Sequence, residues 1–236
     1  MQFTEFTKTI SCFSLGCSDK SNEAIDKLNN SNKILLPTSV LSELNNFEVK
    51  FPIFFELENE ETGNKFSCGV HEFTSAPGTC FLPYRIMQYL WIKEGGNVKL
   101  NLIVPEKGTD IKLKIVTKDF LKLTDPKTVL EKVLSEDYPI VSVNETLSIN
   151  YNNQIYYIDI TECKPSNTIQ IIDVDLNVDF EKIDEPENEK QDDKKEDSSN
   201  ELLNEELLDN KDKIVEFKKN KEFVPFSGKG YTLGSK

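Results

Sequence analysis

CGVHEFTSAPGTCFLPYRIMQYLWIKEGG, residues 68–96, places two strand-like runs, a helix-like run and a closing turn in immediate succession. KFSCGVHEF (65–73) and TCFLP (79–83) are rich in aromatic and branched residues, and Ala76-Pro77-Gly78 punctuates them. YRIMQYLWI (84–92) has the 3.6-residue period, which predicts a helix with Ile86, Met87, Leu90 and Trp91 on one buried face. Gly95-Gly96 follows as the helix-ending turn. The pattern predicts a packed, strand-rich unit with short helices set between strands.

Working outward, KILLP (33–37) is a short buried strand, and Thr38 and Ser39 can cap a brief helix carrying Val40, Leu41 and Leu44. FPIFFELEN (51–59) is a further strand. NVKLNLIV (97–104) and DIKLKIV (110–116) alternate with period two, as strands with one wet face do. Asp125-Pro126 opens a second unit: aspartate at the N-cap and proline in the first turn start a helix that buries Val129, Leu130, Val133 and Leu134. Three strands are expected after it, in TLSINY (146–151), QIYYIDITE (154–162) and TIQIIDVDLNVDF (168–180). Asn152-Asn153 between the first two suits a tight hairpin, because asparagine tolerates positive φ. The second unit therefore reads as a helix followed by antiparallel strands, with the break between units near 121–125.

Past Ile183 the pattern stops. Residues 184–213 hold thirteen carboxylates against five lysines, which supplies most of the net charge of −13. DEPENEKQDDKKEDSSN has no apolar residue except Pro186, so it cannot offset chain entropy by burial and is expected to be disordered. NELLNEELLDNKDKIVEFKKN (200–220) reads as a weakly helical linker. The apolar fraction of 37% falls below the roughly 45–50% usual for globular chains, which agrees with a tail outside the core. The acidic balance argues against binding nucleic acid through its phosphates.

Candidate chemistry is sparse. Cys12, Cys17, Cys68, Cys80 and Cys163 lack a framework spacing and read as reduced thiols, which places the protein in the cytosol or nucleus. The N-terminus does not read as a secretory signal, and no run reaches the ~18 apolar residues of a membrane span. A cysteine hydrolase would be built from the one histidine, His71, with Cys68 or Cys80. Residues 68 and 71 fall on opposite faces of their strand, however, and the sequence marks neither an orienting group nor an oxyanion site. The same geometry argues against a metal site, and no cofactor is expected. Gly228-Lys229-Gly230 lacks the flanking strand and helix of a phosphate-binding loop.

FVPFSGKGYTLG (223–234) is too apolar for an idle tail and too short to fold by itself. Its core is F-x-G-x-G-x-x-L. It reads as an extended peptide ligand in which Phe226 and Leu233 are anchors and Gly228 and Gly230 allow close backbone approach. The competing reading folds this segment back onto the chain's own domain.

The tail pattern resembles the SHP box, by which cofactors dock on the N-terminal domain of the hexameric AAA ATPase valosin-containing protein. KILLPTSVLSELN, FPIFFELEN, residues 68–96, LTDPKTVLEKVL, INYNNQIYYIDITECKP and IIDVDLNVDF are similar, in order, to the ubiquitin fusion degradation protein 1 family. The resemblance spans about residues 12–183 and adds 226–233. It implies a double-psi β-barrel over 1–121, a smaller α/β subdomain over 122–183, a disordered acidic linker over 184–222 and an ATPase-binding motif over 223–236. It further implies a non-enzymatic adaptor that binds polyubiquitin and delivers ubiquitylated substrates to the ATPase for extraction and proteasomal degradation. Such an adaptor is expected in cytoplasm and nucleus and at the cytosolic face of the endoplasmic reticulum. The nuclear protein localization 4 homologue is implied as a further partner, either through residues 200–217 or not at all. No short motif marks ubiquitin-contacting residues. A deubiquitinase-like hydrolase and an ATPase-binding scaffold without ubiquitin affinity are the alternatives.

Overall fold

Six strands close into a barrel in the order β1-β5-β2-β4-β3-β6 in the computed structural model, which describes residues 6–47 and 49–181 and the backbone of 231–233. They are β1 (Thr7–Ser14), β2 (Lys33–Pro37), β3 (Phe54–Glu58), β4 (Lys65–Ser75), β5 (Thr79–Leu82) and β6 (Asn97–Ile103). Two neighbouring pairs, β1/β5 and β2/β4, run parallel. The other barrel pairs are antiparallel.

Sequence chemistry explains the closure. KILLP is buried over Ile34–Pro37, as a continuous apolar run requires. Strand β6 alternates, so Val98 and Leu100 point into the core. Phe55, Leu57, Cys68, Cys80, Leu82 and Ile86 are fully buried with them. Two short helices, α2 (Thr38–Leu44) and α3 (Tyr84–Leu90), pack on this core, while α1 (Asn22–Asn29) packs Leu28 against Leu15 and Leu35 in a smaller cluster.

α3 corrects one expectation. The helical period predicts Trp91 on the buried face, but the helix stops at Leu90. Trp91 takes φ 58° as the C-cap residue and is 77% exposed. The left-handed cap turns its side chain away from the face shared by Ile86, Met87 and Leu90. Strand β1 and helix α1, which no strong period announces, are additional elements.

The second sheet system begins earlier than the expected break at 121–122. Strand β7 (Glu106–Lys107) pairs with β12 (Thr168–Gln170), which also pairs with β9 (Ile140–Ser142). Strand β8 (Asp110–Ile115), expected in the first unit, lies between β11 (Gln154–Lys164) and β13 (Leu176–Phe180). The five-stranded sheet reads β10-β11-β8-β13-β14, with β10 spanning Thr146–Tyr151 and β14 spanning Tyr231–Leu233. Its β8/β13 pair and the β7/β12 pair are parallel, so the unit is mixed rather than antiparallel. The single strand expected over 168–180 is two strands, separated by a turn in which Asp173 adopts φ 50°.

Other expectations hold in detail. α4 (Pro126–Asp137) starts at Asp125, whose carboxylate accepts from the Thr128 N–H at 3.1 Å. Asn152 and Asn153 adopt φ 52° and 60° in the β10–β11 hairpin. The α4 face packs Val129, Leu130 and Leu134 on a core that includes Phe120, Tyr138, Leu147 and Ile158, whereas Val133, expected to be buried with them, is only partly so. The acidic stretch 184–222, including the segment expected to be weakly helical, lies outside the described residues.

Candidate functional site

Two places in the fold gather groups that burial or pairing does not fully explain: the junction of the barrel with the second subdomain, and the outer edge of β13.

The junction is organised by Asn32, which stands just before β2 and is fully buried. Its N–H donates to Asp137 O at 3.1 Å, its side-chain amide donates to Ile140 O at 3.0 Å, and its carbonyl accepts from Gly69 N–H at 2.9 Å. The same amide donates to Glu145 Oε1. One asparagine thereby ties β4 of the barrel to the end of α4 and to β9. β4 can approach because residue 69 is glycine: a Cβ there would lie 2.7 Å from Pro139 Cγ.

Arg85 of α3 reaches the same place. Its guanidinium donates to Ser31 O at 2.9 Å and to Asn32 Oδ1. It also sits 5.8 Å from the Phe66 ring centroid and 5.6 Å from that of Tyr138, a cation–π sandwich. Arg85 Nε is buried without a hydrogen-bond partner among the described residues. Tyr138 is fixed in turn: its hydroxyl donates to Ser148 O and accepts from Ser148 N–H, both at 2.9 Å. Glu145 is 8% exposed, and burial pushes its carboxyl up to about 7, against the opposing pull of Arg85 and the hydrogen bonds from Asn32 and Ser142. A cleft of about 470 Å³ opens beside this cluster, lined by Arg85, Glu145, Tyr89, Tyr157, Ser142 and Thr168 among others. Sequence reasoning missed Arg85 and Glu145. Neither belongs to a local motif, and the chain positions that meet here are far apart.

Four of the five thiols are buried, and Cys17 is exposed. Cys12, Cys68 and Cys80 lie in the barrel interior, with residues 12 and 80 directly paired across β1/β5. Burial pushes Cys12 and Cys163 up to about 12 and raises Cys68 and Cys80 as well. A nucleophilic cysteine needs the reverse shift, toward thiolate. His71 stands part-exposed on β4 with Nε2 3.4 Å from Glu72 Oε1, while Cys68 is fully buried. Burial lowers the His71 pKa, partly offset by Glu72.

Of the four residues expected to form the tail motif, Phe226, Gly228 and Gly230 lie outside the described residues. Leu233 is in β14, where Tyr231–Leu233 runs antiparallel to β13 with Leu176 opposite Leu233 and Val178 opposite Tyr231. The expectation of a segment standing apart from the folded region therefore changes for these three residues. The physical reason is the edge itself, since β13 would otherwise present a row of unpaired backbone groups.

These features define a two-subdomain β-rich protein: a closed barrel locked to an open mixed sheet, with a cleft and a strand-accepting edge. Residues 6–105 match the family model "Ubiquitin fusion degradation protein UFD1, N-terminal subdomain 1", and residues 107–183 match its N-terminal subdomain 2. The chain belongs to the ubiquitin fusion degradation protein 1 family. It is 39% identical over 153 residues to the Ubiquitin fusion degradation protein 1 homolog of Dictyostelium discoideum, covering 65% of this chain and 46% of the relative. It is 34% identical over 176 residues to the human Ubiquitin recognition factor in ER-associated degradation protein 1, covering 75% and 57%. The Saccharomyces cerevisiae Ubiquitin fusion degradation protein 1 is 36% identical over 158 residues, covering 66% and 44%. The chain spans about half the length of these relatives.

Proposed function

We propose that this chain is a non-enzymatic adaptor that binds ubiquitin chains and recruits ubiquitylated proteins to the hexameric AAA ATPase valosin-containing protein. The outcome is unfolding and proteasomal degradation, including degradation of proteins extracted from the endoplasmic reticulum. The observation that carries the reading is the ordered match of residues 6–183 to both N-terminal subdomains of the family, which includes relatives named for ubiquitin recognition in ER-associated degradation. The parallel β1/β5 and β2/β4 pairs in crossed strand order support reading the barrel as double-psi. The buried, upshifted thiols support a binding rather than a hydrolytic role.

Labour divides along the chain. Residues 1–183 engage ubiquitin, weakly per contact and more strongly through several linked ubiquitins. Phe226, Gly228, Gly230 and Leu233 dock on the ATPase across the acidic linker. The protein works in cytoplasm and nucleus, and at the cytosolic face of the endoplasmic reticulum. The nuclear protein localization 4 homologue is a further partner in this scheme.

Pull-down of the full chain with linkage-defined ubiquitin chains tests the recruiting half; longer chains are expected to be retained over single ubiquitin, and no chain-dependent retention removes it. Calorimetry of a peptide covering 220–236 against the ATPase N-terminal domain tests the other half. Burying a Phe or Leu side chain is worth roughly 1.5–3 kcal/mol, so Phe226→Ala and Leu233→Ala should each weaken binding about 10- to 150-fold. Equal losses for Ser227→Ala and Phe226→Ala would refute the anchors.

A further inference from the structure

Strand β13 has two edges with different partners. Asn177 N–H donates to Thr109 O at 2.9 Å and Glu181 N–H to Leu113 O at 2.9 Å, so odd-numbered residues direct their backbone groups toward β8. Backbone groups alternate along a strand, which turns those of Leu176 and Val178 to the opposite edge. That is where β14 lies, with Leu233 opposite Leu176 and Tyr231 opposite Val178. Leu176 and Val178 are buried while Asn177 and Asp179 are exposed, so β13 itself cannot slip by one residue without inverting its faces.

Charge favours the same occupant. Asp173, Asp175 and Asp179 are exposed on β13 and the turn before it. Residues 228–236 carry Lys229 and Lys236 and no aspartate or glutamate.

We propose that the outer edge of β13 is a docking surface for the chain's own C-terminal segment, and that docking there withholds the Phe226–Leu233 motif from the ATPase. The inference rests on the reading of that motif given under Proposed function. Leu233 is common to both complexes. A peptide that adds to a sheet edge uses its backbone groups for affinity, and those of residues 231 and 233 are turned to β13. Only the N–H and C=O of Thr232 remain for a second edge. Docking in cis and in trans therefore compete for one short segment. Binding in trans lowers the population of the cis form, and salt, which screens the lysine–aspartate attraction, shifts the balance the same way.

A disulfide clamp tests this on the full chain. Residues 177 and 232 face each other, and because the backbone N–H of Asn177 is turned to β8 they occupy the narrow register position of the antiparallel pair. Such pairs hold Cα atoms about 4.5 Å apart, within disulfide range. Asn177 is exposed, so Asn177→Cys with Thr232→Cys spares the core. Cys17→Ser removes the one exposed native thiol among the described residues. Mild oxidation should join the two introduced thiols within one chain. The oxidised chain should bind the ATPase N-terminal domain at least about 100-fold more weakly than its reduced form, and reductant should restore binding. In the natural chain, the amides of Leu176 and Val178 should exchange more slowly than in a chain lacking 223–236.

Exchange rates at those two amides that do not respond to removal of the tail, together with no cross-link, would overturn the docking. A cross-linked chain that binds as well as the reduced one would overturn the competition. Failure of the isolated 220–236 peptide to bind the ATPase domain is a separate result, since it sinks the motif reading and leaves cross-link and exchange data intact.

Discussion

The barrel and the sheet that follows it solve the edge problem in opposite ways. In the barrel every strand has two neighbours, from β1 round to β6 and back, so no backbone edge is offered to a partner. The second sheet stays open and ends at β10 on one side and at β13 with its added β14 on the other. A closed sheet is good scaffolding and a poor receptor for extended peptides; an open one is the reverse. The two are locked together through Asn32 and the Arg85–Glu145 cluster, so the receptor edge hangs on a rigid support.

The largest way to break the contrast is through the barrel core. Phe55→Ala empties a fully buried ring position and should cost about 3–5 kcal/mol. Urea unfolding followed by both fluorescence and circular dichroism should show one earlier, still cooperative transition. If β8–β13 amides kept their protection while the barrel melted, the subdomains would not be locked as described.

The junction itself comes next. Glu145 ionises near 7 when folded, against 4.5 for the ordinary carboxyl. Between those values the folded state holds more protons than the unfolded one, so this group's stabilising contribution is complete below about 4.5 and is lost as pH rises toward and past 7. The shift corresponds to roughly 3 kcal/mol at 1.36 kcal/mol per unit. Glu145→Gln should remove that slope, so stabilities measured at pH 5 and pH 8 should lie closer together in the variant. An unchanged slope would mean Glu145 is not buried in solution.

Tyr138→Phe is smaller. It strands the Ser148 N–H and C=O, both partnered by one hydroxyl, at about 1–3 kcal/mol. The loss should concentrate in faster exchange at Ser148 on β10.

Much of this was legible in the sequence, and the failures have physical causes. Asn152-Asn153, Asp125-Pro126 and KILLP are local signals, and local signals survive folding: the turn, the cap and the buried strand all appear as expected. Trp91 was misread because periodicity cannot see a left-handed cap. β8 was assigned to the wrong unit because alternation tells which face is wet but not which strand is the neighbour; β11 and β13 are more than forty residues away. Arg85 and Glu145 were invisible for the same reason. The pairing of Tyr231–Leu233 with β13 was not legible, since a sheet edge exists only once the sheet has formed.

The smallest effect should be the most telling about the edge. Two facing pairs on β13 and β14 can exchange about four backbone hydrogen bonds, each worth roughly 1 kcal/mol net. Closing the loop of about fifty residues between Phe180 and Tyr231 costs roughly 3–4 kcal/mol. The two nearly cancel, so docking of the tail should add less than about 1 kcal/mol to the stability of the folded region. Removing 223–236 should therefore leave the urea midpoint almost unmoved. A closed barrel could not lose a strand so cheaply: deleting β1 would open it and expose both new edges. A stability that fell by several kilocalories per mole on removing the tail would make β14 a structural strand instead of an exchangeable one, and the open sheet would have to be regarded as closed by its own chain.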